Sequence, residues 1–275
     1  MATEKHPDEM SDRADPEWPR RAAFYGDGVF RTMLVLAGEV VDRDRQLAKL
    51  VSDASRIQLE TPDMALLEKD LDASVLTQQA GVVRAMLYRE DQGRGYAPAS
   101  KRALHHLQFS ALPEYPESHW TSGVDLGWSD VLLGIQPLLA GIKHLNRLEQ
   151  VMASARQDAS LHELLMCDAQ GRVVGGIKTN IFFQIDGVLV TPDLSLAGVA
   201  GAMRDKIIET CGRHGPGCEI GLVSPDEVRH AEECFVSNSL IGIWPVRRIG
   251  KMEFPAPGPV TRQLMQWLDH PWKGQ

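Results

Sequence analysis

The strongest constraint on the fold is the way short apolar runs are punctuated by tight-turn residues. Residues 29–36 alternate, with Phe30, Thr32, Leu34 and Leu36 on one face, and Ala37-Gly38-Glu39 turns the chain back into Val40-Val41. Asp186-Gly187 separates 180–185 from 188–190 and predicts a second hairpin. Further strand-like runs lie at 82–89, 103–109, 124–128, 163–167, 219–223 and 234–237. Helical spacing of apolar residues marks Leu47, Leu50, Ala54 and Ile57, then 64–79, then a helix carrying Leu145, Leu148, Val151 and Met152, then 200–211 and 260–268. Ser224-Pro-Asp-Glu227 reads as a capping box. Strands outnumber helices and hairpins recur, which disfavours one doubly wound parallel sheet and predicts two α+β lobes with a cleft between them.

A chain of 275 residues suits two packed lobes, and 43% hydrophobic residues supply their cores. The proline-broken stretch Leu112-Pro-Glu-Tyr-Pro-Glu-Ser-His119 is the best linker candidate. The expected division is an arm at 1–22, a small α+β domain at 23–111, a linker at 112–120 and a larger domain at 121–275. A net charge of −8 argues against a generic nucleic-acid or anionic-membrane surface but leaves room for a local basic pocket. No apolar stretch approaches the ~20 residues of a membrane helix. Residues 1–19 are polar and acidic, unlike a secretory leader. The four cysteines, Cys167, Cys211, Cys218 and Cys234, fit neither a zinc template nor a small disulfide framework. Idle thiols in a reducing cytoplasm, with no metal, are the expectation.

Several segments carry chemistry. Tyr25-Gly-Asp-Gly-Val-Phe30 puts two glycines around an acid before a strand, which alone reads as a tight turn. Gly93-Arg94-Gly95-Tyr96, preceded by Arg84 and Arg89, combines flexible backbone with positive charge, a pairing that suits a carboxylate or phosphate, although a lone loop of this kind is more often simply solvated. Lys143 follows an apolar run and precedes an amphipathic helix. There a desolvated amine could become a nucleophile and base, or a lysine could merely snorkel from a helix start. Gly198-Val-Ala-Gly201-Ala-Met-Arg204 places glycine-rich backbone at a helix N-terminus, where free N–H groups favour an anion. Ser237-Asn-Ser239 ends an apolar strand with groups able to meet the same anion.

Taken in order, these segments resemble the fold-type IV family of pyridoxal-phosphate (PLP) enzymes, which includes the D-amino-acid and branched-chain aminotransferases and aminodeoxychorismate lyase. The resemblance runs from about Phe24 to Arg248. It rests on YGDGVF (25–30), IKHLNRLEQVMA (142–153), CDAQGRVV (167–174), TNIFF (179–183), VLVTP (188–192), AGVAGAMR (197–204) and SNSLIGIWPV (237–246). GRGY at 93–96 and GIKHLNRLEQ at 141–150 are similar to the lyase branch in particular.

The resemblance implies a two-domain fold with the active site between the domains, a homodimer, and Lys143 as the residue that holds PLP covalently. It implies cofactor contacts from Lys49, Asn180, Ala202, Met203, Arg204, Asn238 and Ser239. Tyr25, Arg94 and Tyr96 would lie toward a small anionic substrate, near a subunit boundary. The implied reaction converts 4-amino-4-deoxychorismate to 4-aminobenzoate and pyruvate. A D-amino-acid or branched-chain aminotransferase is the alternative within the fold, and a non-catalytic binding paralogue the alternative outside catalysis.

The chain departs from the family pattern in two segments. Gly175 stands where the family has a glutamate for the pyridine nitrogen. Lys49 and Gln46 stand where it has the arginine and histidine of a His-Leu-x-Arg-Leu segment. A neutral pyridine is a poorer electron sink, which should penalise transamination more than an elimination that ends in an aromatic ring.

Overall fold

The structure, a computed structural model, describes residues 20–91, 95–215 and 217–274. Helix α1 (Arg20–Tyr25) leads into a four-stranded sheet of order β2-β1-β3-β4, built from β1 (Gly28–Leu36), β2 (Glu39–Val40), β3 (Ala80–Arg89) and β4 (Ala103–Ser110). The α1 helix takes in three residues of the expected arm, because Arg21 is buried and reaches Asp27 at 2.9 Å and the carbonyl of Gly95 at 3.0 Å. Ala37 and Gly38 carry φ of 51° and 78°, the paired left-handed values a two-residue hairpin turn requires.

Helices α2 (Arg43–Arg56) and α3 (Met64–Val75) cover one face of this sheet. Leu47, Leu50 and Ala54 of α2 pack with Leu67 and Leu71 of α3 on Val29, Met33 and Val35 of β1. The alternation of β1 sends Leu34 into the other lobe's core.

The second lobe holds a nine-stranded sheet. Helix α4 (Ser118–Thr121) precedes β5 (Val124–Trp128), helix α5 (Leu148–Ala155), β6 (Glu163–Cys167), β7 (Val173–Gly176), β8 (Asn180–Ile185) and β9 (Val188–Pro192). Then come α6 (Ala202–His214), β10 (Glu219–Gly221), α7 (Pro225–Val228), β11 (Ala231–Asn238), β12 (Gly242–Ile249), β13 (Met252–Glu253) and α8 (Pro259–Leu268). The strand order is β10-β9-β8-β11-β12-β5-β6-β7, with β13 on β12. One face of β8, β11 and β12 presents Phe182, Phe235 and Ile243 to α6 and α8. The opposite face presents Phe183, Val236 and Trp244 to Trp120 and Trp272. Strand β12 is invisible to a propensity reading because Pro245 sits inside it. A register shift between Val246 and Arg248 accompanies that residue where β12 pairs with β5.

The 112–120 stretch is pinned rather than loose. Tyr115 packs edge-on to Trp244 with centroids 4.7 Å apart, and Trp120 Nε1 donates to the Ile241 carbonyl at 2.9 Å. The lobes meet through main chain as well: Phe30 N–H donates to Lys143 O at 2.9 Å and Leu145 N–H to Gly28 O at 3.0 Å. An ionic seam joins α2 to α6, with Arg45 on Glu209 (2.6 Å), Lys206 on Asp42 (2.8 Å) and Lys49 on Asp205. Among the described residues no helix is long and apolar enough to cross a membrane, and no group of His, Cys, Asp and Glu is arranged to hold a metal ion.

Candidate active site

Lys143 is placed by three backbone devices. Gly141 adopts φ of 79°, donates to Gly198 O at 3.0 Å and accepts from Ala200 N–H at 2.9 Å, tying this strand-like segment to the glycine-rich loop. Ile142 is sunk in the small lobe's core. The Lys143 N–H donates to Asp53 Oδ2 of α2 at 3.0 Å. Its Nζ then lies 4.6 Å from the centre of the Phe30 ring. Burial, reinforced by the neighbouring charges of Arg31, Arg147 and Arg84 and opposed by Asp53, lowers this amine from its ordinary value to about 7. At neutral pH a large share of it is therefore unprotonated and nucleophilic.

The amine opens into a cavity of about 330 Å³ between the lobes, within the range of small-molecule sites. One wall comes from the small lobe and carries Phe30, Arg31, Thr32, Gln46 and Arg84. The other comes from the large lobe: 174–180, 198–202 and 238–241 contribute glycines, main chain and short polar side chains. Arg147, Gln150 and Tyr115 complete the rim. Arg31, Arg84, Lys143, Arg147 and Lys178 make the lining cationic, and among the described lining residues none is Asp or Glu. In a chain of net charge −8, that concentration selects anions.

At one end of the cavity the helix α6 begins. Gly201 is its N-cap and supplies no side chain to occupy the first amides. Asn180 fixes the approach, donating Nδ2 to Val199 O at 2.8 Å and accepting the Gly201 N–H on Oδ1 at 3.2 Å. A β-carbon on Gly201 would come within 2.4 Å of Asn180 Oδ1, so glycine is needed for this close approach. Ser239 Oγ accepts from Gln46 Nε2 at 2.8 Å, while Gln46 Oε1 is buried without a partner. Asn238 lines the cavity and spends its Oδ1 on the N–H groups of Leu240 and Ile241.

Other expected residues lie elsewhere. Met203 belongs to the core under α6. Arg204 turns away from the cavity lining and donates Nη2 to Pro192 O at 3.1 Å. Lys49 is also outside the lining and is held by Asp205. Tyr25 and Tyr96 pack against each other, tilted by 57° with centroids 5.4 Å apart, on the outer surface, Tyr96 being 87% exposed. Arg94 lies outside the described residues. The Gly-Asp-Gly turn has a structural task, since Asp27 accepts from Arg21 and Arg89 at 2.9 Å each.

Sequence reasoning named Arg84 only as charge near the 93–96 loop, and missed Arg31, Arg147, Lys178 and Asp53. One signal for Arg31 was available: it interrupts the apolar series Val29, Met33, Val35 on the α2-facing side of β1. The others converge only through folding.

The donor set fits PLP at two of its three functional ends. An activated amine faces the cavity for the aldehyde, and free amides with hydroxyl and cationic groups await a phosphate. The pyridine nitrogen finds no carboxylate. Gly175 and Gly176 line the relevant wall, and a β-carbon at Gly175 would approach Thr179 O to 2.9 Å. The nearby acid, Glu163, lies behind that wall. It is fully buried and accepts from the N–H groups of Leu164, Ile177 and Lys178 and from Thr179 Oγ1, at 3.0 to 3.2 Å.

Comparison with known proteins agrees with this geometry. The pattern described as amino-transferase class IV matches residues 28–249. An aminodeoxychorismate lyase of Vibrio harveyi is 32% identical over 251 residues, covering 89% of this chain and 92% of that protein. The crystal structure of 4-amino-4-deoxychorismate lyase from Pseudomonas aeruginosa superposes with a TM-score of 0.84 at 41% identity, covering 90% of this chain and 92% of the other. A D-alanine aminotransferase of Bacillus licheniformis is 25% identical over 268 residues, covering 91% and 89% respectively. Four-fifths of the chain and both walls of its cavity thus follow one pattern, and the chain belongs to the amino-transferase class IV family.

Proposed function

We propose that this chain is a PLP-dependent lyase that converts 4-amino-4-deoxychorismate to 4-aminobenzoate and pyruvate. The observation that carries the reading is the acid-free, cationic cavity around a lysine amine lowered to about 7. It suits a cofactor with a phosphate and a substrate with two carboxylates.

Lys143 would hold the cofactor covalently, with the α6 amides of Ala202 and Met203, Ser239 and Gln46 at the phosphate end and Asn180 and Asn238 along the wall. When bound, PLP supplies an electron sink for the carbon next to the substrate amine. Lys143 Nζ would then take the proton from that amine-bearing carbon. It returns a proton to the methylene carbon of the departing enolpyruvyl group, so the C–O bond breaks, pyruvate leaves and the ring becomes aromatic without an external oxidant. Arg84, Arg147 and Lys178 would orient the two carboxylates as charged hydrogen-bond donors. The aromatic product supplies driving force that a transamination lacks, and this favours the lyase where Gly175 replaces an acid.

The same reading includes a homodimer in the cytoplasm. Leu138 and Leu148 are 79% and 69% exposed, and Val151 and Met152 extend the apolar face of α5 outward, which supports a second copy covering it. Tyr25, Arg94 and Tyr96 would then meet the substrate side of a site at the subunit boundary. Four free thiols support a reducing compartment.

The test is to incubate purified, PLP-loaded protein with 4-amino-4-deoxychorismate and follow pyruvate and 4-aminobenzoate together. Equal release of both is expected. Protein that releases neither, yet passes amino groups from D-alanine to 2-oxoglutarate, overturns the lyase assignment.

A further inference from the structure

The family pattern expects its cofactor-phosphate cation on α2, at the position of Lys49. In this fold that lysine is unavailable, because it is paired with Asp205 and does not line the cavity. Arg204, the other expected cation at this end, does not line the cavity: it donates to the Pro192 carbonyl and lies 3.8 Å from Asp205, and its own unpartnered Nε is buried outside the lining. The end of the cavity where α6 begins would be short of positive charge if nothing replaced them.

Arg31 occupies that end. It is 2% exposed, lines the cavity as Gln46 does, and lies on β1, where it pairs with Asp53 of α2. Gln46 in turn reaches Ser239, and Asp205 in the first turn of α6 is close enough to act on the Arg31 charge. One Nη2–Asp53 Oδ2 bond ties the guanidinium down, while its buried Nε has no partner among the described residues. Asp53 is itself shared, because the same oxygen accepts the Lys143 N–H. A buried guanidinium with an unanswered donor and half a counter-ion is costly unless an anion completes it. Arg84 and Lys178, by contrast, are exposed at the rim.

We infer that Arg31 replaces Lys49 as the cation that binds the cofactor phosphate, together with the α6 amides and Ser239. The inference rests on the PLP reading above. It makes the strand position, rather than the helix position, the determinant of phosphorylated over unphosphorylated cofactor.

Equilibrium binding of PLP and of pyridoxal, which lacks the phosphate, to cofactor-stripped protein tests this. Wild type, Arg31→Met, Arg31→Lys and Lys49→Met are compared by quenching of tryptophan fluorescence. Arg31→Met should weaken PLP roughly 10- to 100-fold, the range of a charged hydrogen bond. Measured at about pH 9, above the Lys143 titration, it should leave pyridoxal within about twofold, the difference being confined to the phosphate. Arg31→Lys keeps a counter-charge for Asp53, so it guards against simple misfolding, and should fall between wild type and Arg31→Met. Lys49→Met should shift PLP by less than about threefold, as expected for a partly exposed ion pair. Equal weakening of both compounds by both Arg31 variants, or a larger loss from Lys49→Met than from Arg31→Met, overturns the assignment. Wild type that binds neither compound overturns the cofactor reading and this assignment with it, whereas tight PLP binding by Arg31→Met overturns the assignment alone.

Discussion

The two walls of the cavity are made of different materials. The small lobe supplies charge on side chains, with Arg31 and Arg84 projecting from adjacent antiparallel strands. The large lobe supplies mostly backbone: Gly175 and Gly176, Gly198, and the uncapped start of α6 at Gly201. Backbone is fixed by the fold and tolerates few changes, because added β-carbons at several of these glycines meet neighbouring atoms closer than 3.0 Å. Side chains on strands can be exchanged without altering the sheet. The wall of charge is therefore where a member of this fold can change what it binds, and the wall of amides is where it keeps a common anchor.

Substitutions can break this contrast in graded steps. Lys143→Ala removes the group on which both walls converge. Turnover should fall by at least about 10³-fold, and protein desalted after mixing with PLP should be colourless. Retained turnover would remove the lysine from the mechanism. Glu163→Gln attacks the backbone wall from behind, replacing an acceptor of four hydrogen bonds with a group that is half donor. A loss of about 1–3 kcal/mol is expected, read as a lower urea midpoint. An unchanged midpoint would mean that the 176–179 turn needs no buried carboxylate.

Gly175→Glu supplies the missing acid, but the Thr179 carbonyl lies in its way. Gly175→Ala is therefore the paired control, expected to lose about 1–2 kcal/mol through crowding alone. A gain in D-alanine transamination by the glutamate variant over the alanine variant would tie the loss of that acid to lyase chemistry, and equal rates would argue against it.

A pH series sharpens the contribution of the charged wall. Since Lys143 sits at about 7, its reactive neutral fraction grows as pH rises through that value. The rate of PLP uptake should climb between about pH 6 and 8 and then level off. In Arg31→Met the midpoint should move upward, because Arg31 is the leading charge that lowers the amine. A pH-independent rate would separate uptake from this titration. The mildest change is Glu209→Gln in the α2–α6 seam. As a half-exposed pair with Arg45 it should shift stability by no more than about 0.5 kcal/mol, and a larger shift in the melting curve would give the seam a greater role than surface pairs usually have.

The same contrast explains what could be read in advance. The backbone wall was visible because glycine spacing and turn chemistry are local. Asp186 and Gly187 do carry the positive φ values, 49° and 77°, that their hairpin demands, and Ser224 and Glu227 do form a reciprocal cap. The charged wall was hidden because Arg31, Arg84, Arg147 and Lys178 come from four separate segments, and only sheet register and lobe packing bring them together. Helix α5 was found with its apolar residues on one side, and in the fold Leu148 and Val151 of that side face out. Periodicity reports that a helix has two faces without saying which one meets the rest of the chain. Tyr115, in a stretch that composition assigns to a linker, reaches the cavity because aromatic packing against Trp244 overrides its proline-rich surroundings.

The bonds between β1 and the 143–145 segment, together with the α2–α6 seam, hold the lobes independently of the peptide that connects them. A single proteolytic nick between β4 and α4 would thus leave two fragments that remain clasped, each contributing its own half of the ligand's surroundings.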